Sequence, residues 1–301
     1  MSSLAVDLEQ STIIFAYRCI ASVIAVTGNL AIIFLILKSP SIRKEKFNIL
    51  LVQLALGDVI IGIGLAFKAM QYLFIPYNTH TKLSCTLMGT LTLYGSYLSQ
   101  ITMLLIAVDR VICMKKILLQ YRSARFNLIR TIISLLVVTI ATVLQFVHID
   151  GSARMPLCSL ALAWNTTYKL IYSFTLPIVN LIVVVFYVYA IWVYKREFDV
   201  TQKKSAAHST HSAHFYHTVI SVIVVYSILS CFPKWLFALL QLAQVQHDWV
   251  EYIAVSIGIT EGANSILNIF IYGYTHRDIR REINLRLERK TNKVFVSRGT
   301  K

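Results

Sequence analysis

Apolar residues along this chain come in blocks. Uncharged runs of roughly 19 to 26 residues alternate with clusters of Lys and Arg, and about 20 apolar residues suffice for an α-helix to cross a bilayer core of about 30 Å. Seven such segments are predicted, over about 12–37, 48–74, 83–114, 129–148, 169–194, 216–242 and 250–274. Each rises about 1.5 Å per residue and is long enough to span. Pro177 and Pro233 fall inside the fifth and sixth, where each removes a backbone hydrogen bond and should kink its helix. No internal repeat of the kind that marks inverted-repeat transporters is visible.

Composition agrees with the pattern: 56% of the 301 residues are hydrophobic, 14% charged, and the mean hydropathy is +0.64. Soluble domains carry about 25% charged residues, so a soluble enzyme, a disordered chain and a disulfide scaffold are excluded. The net charge of +15 sits mostly in the loops after the first, third and fifth segments and in the tail after the seventh. By the positive-inside rule those regions are cytoplasmic and the amino terminus, with Asp7 and Glu9, is outside. The basic excess is then a topology signal and a match for anionic inner-leaflet lipid. No nucleic-acid partner is needed.

Polar groups inside spans point to function. Asp58 stands in Leu54-Ala55-Leu56-Gly57-Asp58, with Gly28-Asn29, Ser99, Asn264, Ser265 and Asn268 at comparable depth in other spans. Such a set can hold a hydrated cation or share a proton, or it can merely fix helix packing through interhelical hydrogen bonds. The third span ends with Asp109-Arg110-Val111, an acid–base pair at its cytoplasmic edge. Cys85 lies 25 residues earlier, about 37 Å along a helix, and is therefore external. Cys158 lies in the second external loop, so these two can form a disulfide in an oxidising compartment.

Seven spans with Gly28-Asn29, Leu54-Ala55-Leu56-Gly57-Asp58, Cys85, Asp109-Arg110-Val111 and Asn268-Ile269-Phe270-Ile271-Tyr272 resemble the rhodopsin-like G-protein-coupled receptors. Within that group the chain is most similar to nematode serpentine chemoreceptors of the SRSX type. The resemblance implies an all-α membrane protein: a seven-transmembrane helix bundle over 1–275, followed by a short amphipathic helix and basic tail over 276–301. It also implies a receptor that binds an extracellular, small-molecule, chemosensory ligand and activates a heterotrimeric G protein. A peptide-binding receptor of the same superfamily and a small channel or transporter are the alternatives. No catalytic motif stands out, and no enzymatic activity is expected.

Carried over residue by residue, the resemblance gives Arg110, with Asp109, Pro233, Asn268 and Tyr272, to G-protein coupling and activation. It gives Asp58, Ser99, Asn264, Ser265 and Asn268 to an allosteric sodium ion. The chain also departs from the family pattern. Val111 replaces a tyrosine, Ile269 a proline, and Cys231 in Ser230-Cys231-Phe232-Pro233 the aromatic switch residue, so the internal relay must differ. Thr92 at the amine-receptor aspartate position argues against a biogenic amine, and Gly262 at the retinal-lysine position against a covalent chromophore. Lys68, Lys234 and Glu261 fall at the level of the ligand cavity, with Thr92, Ser96 and Tyr97 on the third helix. One Lys–Glu pair would neutralise much of the insertion cost and leave one lysine for an anionic or acceptor group on the ligand. A structural ion pair with a snorkelling lysine is the competing reading.

Three further features carry less. His208, His211, His214 and His217 recur every third residue, which spirals around a helix and does not converge as a metal site requires. Asn165-Thr166-Thr167 is a glycosylation sequon on the predicted outer face. Residues 276–290 place Ile279, Ile283, Leu285 and Leu287 among six Arg or Lys, the composition of a helix lying on the inner leaflet.

Overall fold

The computed structural model describes residues 8–9, 11–40, 42, 47–74, 80–115, 124–155, 158–202, 220–243, 247–275 and 279–285. The four-histidine stripe lies outside the described residues. Among the described residues six helices are long and apolar enough to cross a membrane: α1 (Thr12–Lys38), α2 (Phe47–Phe74), α3 (Lys82–Lys115), α5 (Thr166–Gln202), α6 (Ile220–Leu242) and α7 (His247–Thr275). The remaining long helix, α4 (Ala124–Leu144), has a shorter apolar stretch, Leu128–Leu144. Among the described residues the only β-pairing is an isolated bridge between Thr81 and Arg154.

Local chemistry sets the ends. Ser11 caps α1, its hydroxyl accepting from the Ile13 amide at 3.2 Å. At the other end Ser39 is extended, as expected of a residue that precedes proline. The fourth segment was expected to run to residue 148 but stops at Leu144. A turn follows, with His148 at φ 59°. Thr166 starts α5 three residues earlier than expected, and the helix continues to Gln202, beyond the expected end of the fifth segment. Pro177 lies inside continuous helix. Pro233 is handled differently: the turn before it, Ser227–Cys231, is a π-helix. Its wider i→i+5 ring absorbs the missing donor and the clash that proline brings to an α-turn.

Helix α3 packs against α2, α4 and α5, while α7 closes the ring against α1, α2 and α6. Apolar side chains point outward as well as inward. Ile20, Ile140 and Phe232 are at least 60% exposed, whereas Asn29, Asp58, Thr102 and Asn180 are wholly buried. Polar-inside, apolar-outside is the pattern of a bundle solvated by hydrocarbon. Past α7, the described part of the expected 276–290 helix is 279–285. Ile279 is fully buried and Ile283 packs beside it on the cluster containing Ile42, Leu51 and Ile271. Four-residue spacing puts both on one face, and that face meets the bundle.

Candidate functional site

Cys85, near the start of α3, is bonded to Cys158. Two backbone hydrogen bonds hold the same loop at this end of the bundle: Lys82 N to Ala153 O and Met155 N to His80 O, both 2.9 Å. The loop then forms a single helical turn, Leu160–Ala163, over a cavity of about 50 Å³. Lys68, Thr92 and Glu261 line this cavity together with Glu9 and Arg18. Its apolar wall includes Leu93, Trp164, Tyr172 and Phe237.

The structure brings together some of the expected pocket residues and separates others. Lys234 Nζ lies 3.0 Å from Glu261 Oε1. The Ser96 hydroxyl bridges the pair, donating to Glu261 and accepting from Lys234 at 3.3 Å. All three side chains are buried, so the triad is a closed electrostatic unit whose desolvation is offset by pairing. Lys234 and Ser96 stand behind the cavity wall. Tyr97 turns elsewhere: its hydroxyl is 2.9 Å from that of Tyr168, which donates to the Ala141 carbonyl. Tyr97 joins an aromatic cluster with Tyr168, Tyr172 and Trp164.

Sequence reasoning missed Arg18. It sits in the first apolar block, buried, and its guanidinium nitrogen reaches both oxygens of Glu9 at 2.6 Å. An arginine inside α1, where the only other charge is Lys38 at the helix end, was the available signal. Gly262 also acquires a physical reason. A β-carbon there would lie 2.8 Å from the Tyr17 hydroxyl and 2.9 Å from Leu65, and Tyr17 is fixed by donating to the Ile259 carbonyl at 2.6 Å.

Deeper in the bundle Asp58 is surrounded by donors. Asn268 Nδ2 donates to Oδ2 at 2.9 Å, and Ser265 and Ser99 donate to Oδ1 at 3.1 and 3.3 Å. Asn29 ties the same point to α1 and α7, donating to the Ala25 and Ser265 carbonyls. Asn264 is buried nearby in sequence. A carboxylate, two hydroxyl oxygens and an amide suit a hard cation, because rotated hydroxyls present lone pairs instead of protons.

At the far end of α3, Asp109 forms a 3.9 Å ion pair with Arg130 of α4, a partner that the Asp109-Arg110 reading did not include. Arg110, the next residue, is half-buried. The Tyr272 hydroxyl lies 3.9 Å from the sulfur of Met103. Between this level and the cavity, Tyr226 donates to Asn180 Oδ1 at 2.6 Å, and Asn180 Nδ2 donates to the Ser230 carbonyl at 3.3 Å. The link reaches from α5 into the π-turn just before Pro233. Cys231 is buried there as a free thiol. Asn165 caps the start of α5, its Oδ1 accepting from the Tyr168 amide at 2.6 Å while its Nδ2 donates to the Val147 carbonyl. A glycosylated asparagine keeps one such N–H, so the cap and the sequon are compatible.

Comparison with known proteins bears on what this arrangement is for. The sequence model of a family described as "Serpentine type 7TM GPCR chemoreceptor Srsx" matches residues 22–286. Human neuropeptides B/W receptor type 2 is 24% identical over 277 residues, covering 86% of this chain and 80% of the human protein.

Proposed function

We propose, from the premise that this chain belongs to the serpentine 7TM GPCR chemoreceptor family Srsx, that it binds an extracellular small molecule in the Cys85-end cavity and activates a heterotrimeric G protein at the Arg110 end. The observation that carries the reading is the separation of two functional levels by one rigid helix. A small cavity with charged groups in its wall adjoins one end of α3, and Arg110 lies near the other. Signalling is then a population shift: an agonist must bind the active arrangement more tightly than the resting one.

Between the two levels run the polar contacts that would carry the shift. The Lys234–Glu261–Ser96 unit joins α3, α6 and α7 behind the cavity, and Asp58 joins α2, α3 and α7 below it. Asn180 and Tyr226 join α5 to α6 at the π-turn, where the family's aromatic switch is replaced by Cys231. We assign Asp109, Arg110, Pro233, Asn268 and Tyr272 to coupling and activation, and Asp58 with Ser99, Ser265 and Asn268 to an allosteric sodium ion. The amino terminus is assigned to the outside and the tail, with the 279–285 helix, to the inner leaflet, following the basic residues.

A peptide ligand is the second reading, and the likeness to the human neuropeptides B/W receptor favours it. The deciding experiment is guanine-nucleotide exchange on a panel of purified G proteins by the receptor in lipid nanodiscs. A library of small molecules and short peptides is applied with Arg110→Ala as control. Ligand-dependent exchange that the variant loses supports the reading. Full exchange by a properly folded Arg110→Ala receptor removes Arg110 from the mechanism, and ion flux without exchange favours the channel alternative.

A further inference from the structure

The cavity under the loop is smaller than the site of an organic ligand. Its space of about 50 Å³ has room for a few waters, whereas small-molecule sites run to about 300–1,000 Å³. A ligand can enter only if part of the wall moves aside, and the parts of the wall are unequally fixed. The loop is joined to α3 by the Cys85–Cys158 bond and to His80 and Lys82 by two backbone hydrogen bonds. Helices α1 and α7 are docked on each other beside the cavity, where Tyr17 donates to the Ile259 carbonyl at 2.6 Å.

The remaining piece of wall is the short segment ahead of α1. Glu9 lines the cavity, and both its carboxylate oxygens accept from one guanidinium nitrogen of Arg18 at 2.6 Å. Leu8 packs against Val255 of α7, as do Ile259 of α7 and Leu162 of the loop. Val255 is itself a lining residue. The Leu8 carbonyl accepts at 3.1 Å from the amide of Ser11, the residue that caps α1. These contacts carry the segment from α1 across to α7 and the loop. None of them is covalent, and each is weaker than the disulfide that fixes the loop.

We propose that Leu8–Glu9 is a lid: the segment closes the cavity between α1, α7 and the loop, and the Glu9–Arg18 pair is the latch that a ligand must release to enter. Opening returns the Glu9 side chain, already 17% exposed, to water. Whatever then enters the cavity must solvate the buried Arg18 in its place. Leu8 leaves the apolar cluster on Val255 in the same movement, so latch and apolar contact open together. The access role rests on reading this cavity as the receptor's ligand site; the closure itself does not.

A thiol at position 258 tests the closure. Gly258 lines the cavity, and a β-carbon there would meet Lys68 Nζ at an ordinary 3.7 Å, so a cysteine fits. The full-length Gly258→Cys receptor in nanodiscs is treated with methyl methanethiosulfonate, and modification of residue 258 is followed over time by peptide mass spectrometry. Glu9→Gln, Leu8→Ser and a deletion of residues 2–9 are each made on that background. Labelling should be slow with the lid intact and rise by roughly 5- to 10-fold in either point variant, the range for losing one partly exposed contact from a local opening equilibrium. The deletion should be at least as reactive. Leu8→Ser keeps the ion pair, so it reports the closure even where Glu9→Gln fails to fold. Cys231, a buried free thiol, is the internal control and should stay unreactive throughout. Equal labelling of residue 258 with and without the segment would overturn the proposal, as would a gain that appears only together with labelling of Cys231. Labelling involves neither a ligand nor a G protein, so its failure refutes the lid alone. An opened cavity that supports no ligand-dependent nucleotide exchange refutes the receptor reading alone.

Discussion

A β-carbon on Gly28 would lie 3.2 Å from Cγ1 of Ile269, because the isoleucine side chain of α7 fills the notch that the glycine leaves in α1. Ile269 stands where the family motif has proline, so here α7 docks on α1 through a packed branch where relatives have a ring and a kink. Gly28→Val should therefore overpack this contact and lower stability by about 1–3 kcal/mol. Thermal denaturation of the purified protein measures it. Trimming the partner in Gly28→Ala/Ile269→Ala should recover stability relative to Gly28→Ala alone; no recovery would show that the two side chains are not in contact.

The Lys234–Glu261 pair is buried with Ser96 between its members, so removing one charge strands the other. Glu261→Gln and Lys234→Met should each destabilise the receptor by about 3–5 kcal/mol. The double variant should lose less than the sum, and a double-mutant cycle would read the coupling. Additive losses would mean that the pair is not formed.

Asp58 accepts from Asn268, Ser265 and Ser99. If it also holds sodium, sodium chloride should raise the melting temperature above that in N-methyl-D-glucamine chloride of equal ionic strength. Asp58→Asn should abolish the difference. Equal melting temperatures in both salts for the wild type would leave Asp58 a purely structural acceptor.

The Asn180–Tyr226 hydrogen bond ties α5 to the start of the π-turn in α6. Tyr226→Phe leaves buried Asn180 Oδ1 without this donor and should cost about 1–3 kcal/mol. Because α6 is then held less firmly, basal nucleotide exchange should rise. A stability loss with unchanged basal exchange would restrict the contact to packing.

His80 lies outside the spans, and burial holds its imidazole below the ordinary value. The Gln71 amide nitrogen is 3.3 Å from Nδ1. The folded protein thus resists a proton that the unfolded chain accepts near pH 6.5. Stability should be intact above about pH 6.5 and fall progressively as the pH drops toward the depressed folded value. Melting temperature from pH 7.5 to 5.5 should decline more steeply in the wild type than in His80→Gln; parallel curves would exclude His80 as a contributor.

Several parts of this architecture were readable from residue order. The spans follow from block hydropathy, because a helix must cover the same hydrocarbon thickness wherever it crosses. Cys85 was assignable to one side by helix rise and Cys158 to the same side by its loop, and one lysine was expected to pair with Glu261. Periodicity could not say which lysine, since Lys68 and Lys234 are equally placed along their own helices. Only the rotation of α6 against α7 puts Lys234 beside the carboxylate and leaves Lys68 facing the cavity.

Sequence by itself determined that these helices cross a bilayer, which ends carry positive charge, and which polar residues are too costly there to be incidental. Those are properties of one segment against one solvent. Tertiary structure alone decided that Glu9 folds back onto Arg18, that Asp109 reaches Arg130, that Tyr97 faces an aromatic cluster and not the cavity, and that α4 stops at Leu144. Each depends on the azimuth and tilt at which neighbouring helices meet. Hydrocarbon treats every apolar face alike and imposes no such orientation; only close packing between specific side chains does.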